Sequence, residues 1–303
     1  MVKICSKCKK ASIIFLRYNG TYLCVDHFID YFKRRVKRNI KKQGRTKNNS
    51  TLGVAVSGGK DSVVTLHLIQ DIFSQRANVD ICAITVDEGI KGYRDESIKI
   101  ARNNCRTLGI NHYHVSFKDT IGRTLDEIAS RRNKLGACTY CGVFRRSCLN
   151  KKAKELNIDK LVTGHNLDDM AQSIMMNFAN CHLQKLVRLG PHKKIQPGLV
   201  PRMIPLRTIP EKEVLLYAII NNVEFYDGIC PYSVDASRGL FRDIVDELEY
   251  KNPGTRHSIL NSYDTIRDLL LDKFPPAKLY TCKLCGEPTS NSICKTCHLK
   301  NEI

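Results

Sequence analysis

The chain has 303 residues, of which 42% are hydrophobic, so it can bury a sizeable core and is not expected to be disordered. Its 49 Lys and Arg residues against 30 Asp and Glu give a formal net charge of +19, which points to a polyanionic partner, with nucleic acid ahead of a membrane surface. The N-terminus lacks an apolar stretch of signal-peptide length and no later apolar run approaches about 18 residues, which argues against secretion or a membrane span and predicts a cytoplasmic protein.

Fourteen cysteines in a reducing compartment are better interpreted as metal ligands than as disulfides. Residues 1–30 contain Cys5-x-x-Cys8 and, after fifteen intervening residues, Cys24-x-x-His27. Two close ligand pairs joined by a short loop suit tetrahedral zinc, and four protein ligands leave no open coordination position. The hairpin between the pairs is too short to be stable alone, so the metal would supply the missing folding energy. We therefore predict a structural zinc finger over residues 1–30.

A basic helix is predicted to start near Phe28. Residues 31–50 are predicted to contain the rest of this helix and a polar linker after it. Apolar residues recur at helical spacing and make one stripe along this helix: Phe28, Tyr31, Phe32, Val36 and Ile40. Six basic residues cover the other side: Lys33, Arg34, Lys37, Arg38, Lys41 and Lys42. A run of charge is usually only a solvated surface. The uniform sign and the high net charge favour contact with a nucleic-acid backbone.

The stretch Val54-Ala-Val-Ser-Gly-Gly-Lys-Asp-Ser62 predicts a strand that runs through a Gly-Gly turn into a helix. The N-terminus of a helix binds anions, and the two glycines allow the backbone to approach a bound group closely. Lys60 adds a cation, Asp61 can hold a metal that bridges phosphates, and Ser57 and Ser62 add hydroxyl donors. The stretch resembles the SGGxDS signature of the PP-loop ATP pyrophosphatases, which bind the leaving pyrophosphate and transfer AMP to a substrate oxygen. A glycine-rich turn without a ligand is the alternative.

Residues 51–182 alternate apolar runs with helical patterns, which indicates a parallel α/β sheet. Strands are predicted at 52–57, 79–87, 111–116 and 160–163, and helices at 61–76, 95–109, 119–132, 142–157 and 168–180. In such sheets the ligand lies beyond the carboxyl ends of the strands. Three loops follow those ends: Ser57–Ser62, Val86–Gly89 and Thr163–Asp169. We predict a catalytic domain over residues 51–275, with a helical C-terminal part.

Residues 276–303 carry a second set of closely paired cysteines. Cys282-x-x-Cys285 is followed, after eight residues, by Cys294-x-x-Cys297, and Pro275-Pro276 marks a linker before them. Four thiolates with this spacing predict a second zinc finger.

Cys138-x-x-Cys141 lies just before a predicted helix, at the presumed edge of the active site. Such a pair needs at least one more ligand to hold a metal. Cys230 in a loop is one candidate, and Cys148 competes because it lies two turns along the same helix face as Cys141. Three thiolates would hold a four-iron cluster with one iron open to an exogenous sulfide. A third zinc site and a dithiol that carries sulfur as a persulfide remain alternatives.

The ordered set of motifs resembles the tRNA 2-thiolation enzymes of the PP-loop superfamily, the TtuA- and NcsA-like proteins, along essentially the whole chain. Between the two fingers it comprises Ser57-Gly-Gly-Lys-Asp-Ser62, Asp87-Glu-Gly-Ile-Lys-Gly-Tyr-Arg94, Cys138-x-x-Cys141-Gly-Val-Phe-Arg-Arg146, Gly164-His-Asn-Leu-Asp-Asp169 and the lone Cys230. A single CxxC pair is not specific, whereas this order of motifs is.

The resemblance implies a [4Fe–4S] cluster on Cys138, Cys141 and Cys230, which favours Cys230 over Cys148. It implies ATP and Mg²⁺, with ATP held by Ala55, Ser57, Gly58, Gly59, Lys60, Asp61, Ser62, Val86 and Gly164. Asp169 and Arg145 occupy positions that look catalytic in the family, beside Lys60 and Asp61. Some relatives carry Lys in place of Arg145; because Arg has a much higher pKa, it would stabilise charge rather than transfer protons.

The implied reaction is ATP-dependent 2-thiolation of a tRNA uridine: uracil O2 is adenylated, pyrophosphate leaves, and sulfide displaces AMP at C2. The implied partners are tRNA, a sulfide or ubiquitin-like sulfur-carrier donor, and a second copy of the chain in a homodimer. The run from Glu88 to Arg94 is closer to the wobble-uridine branch, so position 34 is expected, with T-loop position 54 as the alternative.

Two other functions are considered. A different PP-loop tRNA modification, such as amidation or lysidine formation, does not account for the fingers and the lone Cys230. A zinc-finger RNA-binding protein with an inactive loop does not account for the intact Lys60, Asp61, Asp168 and Asp169.

Overall fold

The central element of the fold is a five-stranded parallel sheet flanked by helices, with a small hairpin near each end of the chain. The computed structural model describes residues 3–44, 46–76, 78–131, 135–190, 196–233 and 238–303. The strands are β1 (Ile14–Leu16), β2 (Thr21–Leu23), β3 (Ser50–Ala55), β4 (Val79–Asp87), β5 (Asn111–Ser116), β6 (Lys160–Val162), β7 (Arg202–Met203), β8 (Tyr280–Thr281) and β9 (Pro288–Thr289). The helices are α1 (Val25–Lys42), α2 (Lys60–Phe73), α3 (Arg94–Thr107), α4 (Phe117–Ile121), α5 (Leu125–Ala129), α6 (Ala137–Glu155), α7 (Leu167–Ala179), α8 (Leu183–Val187), α9 (Glu211–Ile220), α10 (Arg238–Lys251), α11 (Thr255–Lys273) and α12 (Lys295–Lys300), with a 3-10 turn at Pro231–Ser233.

The strand order of the central sheet places the ligand crevice. The order is β5-β4-β3-β6-β7, and every neighbouring pair is parallel. The chain moves outward from β3 to β5 and then crosses back to β6, on the other side of β3. The loops after β3 and β6 therefore diverge at a topological switch point, where open α/β sheets bind their ligands. The predicted α/β class and parallel sheet are confirmed.

The structure differs from the predicted elements at two places: one predicted helix is divided into two, and one strand was not predicted. The single helix predicted over 119–132 is two short helices, α4 and α5; residue 132 lies outside the described residues. Gly122 ends α4 with a φ of +94°, and Thr124 begins α5 through a capping box with Glu127. Strand β7, which completes the sheet, lies in a loop that the sequence left undefined. A two-residue strand is too short to show any periodicity.

Helix α6 begins earlier than predicted, so the pair Cys138-x-x-Cys141 lies inside the helix and not before it. Its N-cap is Gly136, and Cys138 and Cys141 occupy the first two turns. The sequence obscured this start because Gly136 is a weak cap signal and Cys138, Thr139 and Gly142 favour helix poorly.

Helix α1 buries its predicted apolar stripe. Phe28, Phe32, Val36 and Ile40 are buried, and the Phe32 ring stacks on Tyr217 of α9 with ring centroids 4.4 Å apart. Helix α1 starts directly after Cys24 and runs across the predicted boundary at residue 30, so one helix joins the first finger to the sheet domain. The predicted domain limits stay predictions.

The sheet is covered on both faces. Helices α1, α2, α3 and α9 share one apolar core, and α4, α5, α6 and α12 share the second, in which Leu299 of α12 is fully buried. None of the helices in the described part of the chain is both long and apolar enough to cross a bilayer.

Candidate active site

The loop after β3 is shaped to receive an anion. Gly58 has a φ of +92°, and a Cβ there would collide with the backbone of Ser97. The Ser62 hydroxyl accepts from the Ser57 N–H at 3.0 Å and donates to the Gly59 carbonyl at 2.8 Å, which holds the turn closed. Gly59 begins α2 without a side-chain cap, so the first N–H groups of α2 remain available to a bound phosphate.

The loop after β6 packs directly against this turn. A Cβ on Gly164 would lie 2.7 Å from the carbonyl oxygen of Asp61, so only glycine allows this approach. The Asn166 side-chain amide donates to Asp61 Oδ1 at 3.1 Å. Burial raises the pKa of Asp61, while Lys60 acts in the opposite direction. Two loops predicted separately from the sequence thus form one site.

The two adjacent carboxylates of α7 have different surroundings. Asp168 is buried, accepts from the Glu211 N–H at 2.7 Å and lies 2.7 Å from Arg256 Nε, so it ties α7 to α9 and α11. Asp169 is partly exposed, belongs to the capping box of α7 and lies 3.5 Å from Arg238. Asp169 therefore remains accessible to a ligand, whereas Asp168 is structural.

Lys60 is held by two acidic side chains at the start of α2 and α9. Its Nζ lies 3.0 Å from Asp61 Oδ2 and also contacts Glu211 Oε1. Glu211 is a site residue that the sequence analysis missed, because α9 carries no motif.

A buried arginine joins the two central strands at their carboxyl ends. Arg94 donates to the Ser57 carbonyl at 3.0 Å and to the Val86 carbonyl at 2.6 Å, and its Nε lies 2.7 Å from Glu88. Arg94 therefore occupies one acceptor position of the Val86 carbonyl, and the role predicted for Val86 in ATP binding stays a prediction. Ala55 is half-buried at the end of β3, on the same edge.

Cys138, Cys141 and Cys230 are brought to this edge by α6 and by the segment 226–233. The Cys138 thiol donates to the Tyr232 carbonyl at 3.2 Å, in the 3-10 turn that follows Cys230. Burial raises the pKa of Cys141 to about 12, and Glu88, Cys230 and Cys138 act in the same direction. None of the three thiols is in a disulfide, so their donor set fits a thiolate-bound iron–sulfur group.

Cys148 points away from these three cysteines. It is buried in the core beneath α6, and its sulfur lies 3.3 Å from Thr120 Oγ1. The position two turns along the helix was compatible with a ligand, but the side chain packs against α4.

Arg145 and His165 link the cysteines to the anion-binding loops. Arg145 lies 3.6 Å from Glu88. Desolvation opposes its charge, but Cys141 and Glu88 outweigh this and raise the pKa of Arg145. His165, which the sequence analysis did not single out, interacts with Asp169, Arg238, Arg202 and Arg145. Its desolvation lowers its pKa, which favours the neutral imidazole. The sequence signal that could have identified His165 is its position within the Gly164–Asp169 motif.

Both predicted zinc sites have the geometry of a tetrahedral metal centre. The four donor atoms of Cys5, Cys8, Cys24 and His27, and those of Cys282, Cys285, Cys294 and Cys297, lie within 4.8 Å of one another. The Cys8–Cys24 and Cys285–Cys294 sulfur pairs are 3.7 and 3.6 Å apart, close to the edge of about 3.8 Å that Zn–S bonds of about 2.3 Å require. The Cys294 N–H, 3.2 Å from the Cys282 sulfur, is the main reason that the pKa of Cys282 falls to about 6.

The basic side of α1 divides into two parts. Lys33 lies 3.1 Å from Asp71 and Arg34 lies 3.1 Å from Asp30, so both are neutralised. The other four side chains, Lys37, Arg38, Lys41 and Lys42, are exposed and have no ion pair among the residues described.

The chain is similar to characterised proteins along its whole length. Residues 31–248 match the PP-loop domain family, and residues 4–29 match the family described as 2-thiouridine synthetase TtuA, N-terminal LIM domain. The tRNA 2-thiolation protein NcsA of Haloferax volcanii is 36% identical over 99% of this chain and 98% of its own, and the tRNA-5-methyluridine(54) 2-sulfurtransferase of Pyrococcus horikoshii is 32% identical over 99% and 95%.

A solved structure has the same fold. The U34-tRNA thiolase NcsA from Methanococcus maripaludis, described with its [4Fe–4S] cluster, superposes with a TM-score of 0.86 at 37% identity and covers 100% of this chain and 97% of its own. The chain therefore belongs to the PP-loop family of tRNA 2-thiolation proteins that includes TtuA and NcsA.

Proposed function

We propose that the protein is an ATP-dependent tRNA uridine 2-sulfurtransferase that adenylates uracil O2 and replaces this oxygen by sulfur. The observation that carries the proposal is the segment 226–233, which connects the anion-binding loop to the three cysteines. Tyr226 donates its N–H to the Gly58 carbonyl at 2.9 Å, and Cys230 lies four residues later beside Cys138 and Cys141. An activating site and a thiolate site on one edge of one sheet support a reaction in two consecutive steps.

ATP would bind with its phosphates against the loop Ser57–Ser62, where the first N–H groups of α2 and the Ser57 hydroxyl donate to them while the Ser62 hydroxyl keeps the turn closed. Lys60 would neutralise the charge that develops on the departing pyrophosphate. Asp61 would hold Mg²⁺, which would supply further stabilisation of the phosphate charge. Gly164 lets the loop after β6 pack against the backbone of Asp61 and so brings this loop to the same site.

The thiolate site would be completed by Cys138, Cys141 and Cys230. These three thiolates would hold a [4Fe–4S] cluster, which would supply an open iron position for sulfide. Arg145 lies between Cys141 and Glu88 and stabilises negative charge next to the cysteines. Asp169 and His165 lie near Arg145, and a base presented singly would enter beside them.

The other proposed partners are zinc ions, tRNA, a sulfur donor and a second copy of the chain. Each four-ligand centre would hold one structural Zn²⁺, and the exposed basic residues of α1 would contact the phosphates of tRNA. Free thiol ligands and a labile cluster suit a reducing cytoplasm. Sulfide or a ubiquitin-like sulfur carrier is the proposed donor, and a homodimer is the proposed assembly.

The wobble uridine at position 34 is the proposed target, with position 54 of the T-loop as the second candidate. The U34 thiolase of Methanococcus maripaludis is 37% identical to this chain, against 32% for the position-54 enzyme of Pyrococcus horikoshii.

An anaerobic reaction with ATP, sulfide and tRNA, followed by mass mapping of the thiolated nucleotide, tests the function and its position together. We expect Cys230→Ala to abolish thiolation and to lower the iron content while the protein stays folded. Cys148→Ala is the matched control and should keep its iron, because Cys148 contacts Thr120. Full activity and unchanged iron in the Cys230→Ala variant would contradict the cluster assignment.

A further inference from the structure

Arg146 of α6 and Arg202 of β7 lie near each other, because a hydrogen bond joins α6 to the residues just before β7. Helix α6 runs antiparallel to the strands, since it ends where the Asp159 N–H donates to the Thr51 carbonyl at the start of β3. In the second half of α6, Asn150 Oδ1 accepts the Val200 N–H at 3.0 Å. One turn back along α6 from Asn150 is Arg146, and two residues onward from Val200 is Arg202. Arg146 and Arg202 therefore lie closer than the Asn150–Val200 contact to the edge of the sheet that carries the reaction site.

Neither guanidinium has an acidic partner within salt-bridge distance among the residues described. Their neighbours are paired: Arg145 is 3.6 Å from Glu88, and Arg238 is 3.5 Å from Asp169. Both Arg146 and Arg202 are solvent-exposed. The Arg146 guanidinium folds back over Gly142, 3.3 Å from where a Cβ would be, so it stays close to the second cysteine of the pair.

The two charges repel each other and are partly desolvated. Desolvation lowers the pKa of Arg146 and that of Arg202, with a further contribution to the former from Arg145 and to the latter from Arg146. Like charges placed near each other without a counter-ion lower stability, unless an anion binds there. The planar guanidinium matches a phosphodiester through two parallel hydrogen bonds.

We propose that Arg146 and Arg202 bind the phosphodiester groups on either side of the target uridine and so hold this nucleotide over Asp169 and the cysteines. The proposal rests on the proposed function, since it assigns the binding of its RNA substrate. It adds a phosphate-binding site inside the cleft, separate from the basic face of α1.

Binding of an anticodon stem-loop RNA to the iron-loaded protein, with a neutral methylphosphonate in place of the phosphate 5′ or 3′ of the target uridine, tests these contacts. For the unaltered protein we expect at least one of the two replacements to weaken binding about tenfold. In the Arg146→Ala/Arg202→Ala variant, binding of the normal RNA should be weaker to a similar extent, and the same replacements should change it less than about twofold. Arg106→Ala, which removes an exposed arginine in the last turn of α3 at the opposite edge, should behave as the unaltered protein.

Three controls separate the outcomes. Iron content and ATP–pyrophosphate exchange should be the same in all variants, and a loss of iron with unchanged RNA affinity would show that Arg146 serves the cysteines instead. If methylphosphonate weakens the double variant as strongly as the unaltered protein, the two contacts are wrong. Thiolation of the same stem-loop is measured in parallel. If the RNA is thiolated but the methylphosphonate effect does not depend on the two arginines, only the arginine contacts are wrong. If the unaltered protein neither binds nor thiolates the RNA, the proposed function is overturned together with the arginine contacts.

Discussion

Arg94 is the side chain that fixes the shape of the nucleotide site most directly. It is buried and reaches the Ser57 carbonyl, the Val86 carbonyl and the Glu88 carboxylate, which belong to the loops after β3 and β4. The motif that ends in Arg94 was recognised in the sequence through a resemblance. Its physical role depends on the fold, because the loops after β3 and β4 must meet around one guanidinium.

We predict that Arg94→Ala lowers the free energy of unfolding by about 3–5 kcal/mol, because the buried Glu88 loses its main counter-ion. ATP–pyrophosphate exchange should fall as well, since the Ser57 carbonyl is no longer held. Urea unfolding and the exchange assay measure the two effects. Arg106→Ala, an exposed change on the same helix, should remain within about 0.5 kcal/mol. If Arg94→Ala lowers the free energy of unfolding by less than about 1 kcal/mol, the Arg94–Glu88 ion pair contributes little to stability.

At the scale of elements, helix α1 combines two functions on opposite sides. The apolar stripe packs on α9, and buried Arg35 is 2.6 Å from Glu213 and donates to the Thr208 carbonyl. The sequence identified the stripe by its period but gave no sign that Arg35 is inside, because a basic residue in a basic run looks exposed. Only the position of α9 decided this.

We predict that glutamate at Lys37, Arg38, Lys41 and Lys42 weakens tRNA binding and makes the dependence of log K on log salt shallower. Each lost phosphate contact should reduce this slope by about 0.7–0.9. Filter binding over a series of salt concentrations measures both quantities, and circular dichroism checks that α1 stays folded.

The matched control is Lys33→Gln/Arg34→Gln, which removes two charges that are already paired with Asp71 and Asp30. It should retain its tRNA affinity within about twofold. Equal losses in the two variants would show that only the net charge of the protein matters and not this face of α1.

At the scale of the whole molecule, the C-terminal finger is docked on the catalytic domain. Glu287 lies 3.0 Å from Lys154 and accepts from Asn150 at 3.2 Å, and Leu299 fills the core beneath α6. The finger therefore supports the helix that presents Cys138, Cys141 and Arg145.

We predict that Cys297→Ala releases one zinc per chain and lowers the melting temperature by several degrees. Without the metal the finger unfolds, and the burial of Leu299, worth about 2–3 kcal/mol, is lost. Metal analysis and calorimetry measure the two effects. Cys181→Ala, an exposed cysteine outside both metal centres, should change neither. An unchanged melting temperature with one zinc missing would show that the finger and the domain are energetically independent.

By itself the sequence determined the parts that depend on local order: the α/β class, most strands and helices, both four-ligand centres and the loops after β3 and β6. Short spacings and periodicities are enough for these, because the ligands of a knuckle or the turns of a helix are neighbours in the chain. What only the tertiary structure decided depends on distant segments. It separated Asp168 from Asp169, turned Cys148 into the core, added strand β7, and gathered Arg146, Arg202 and His165 at one edge. Burial and counter-ions arise from packing between elements, and no local pattern records them.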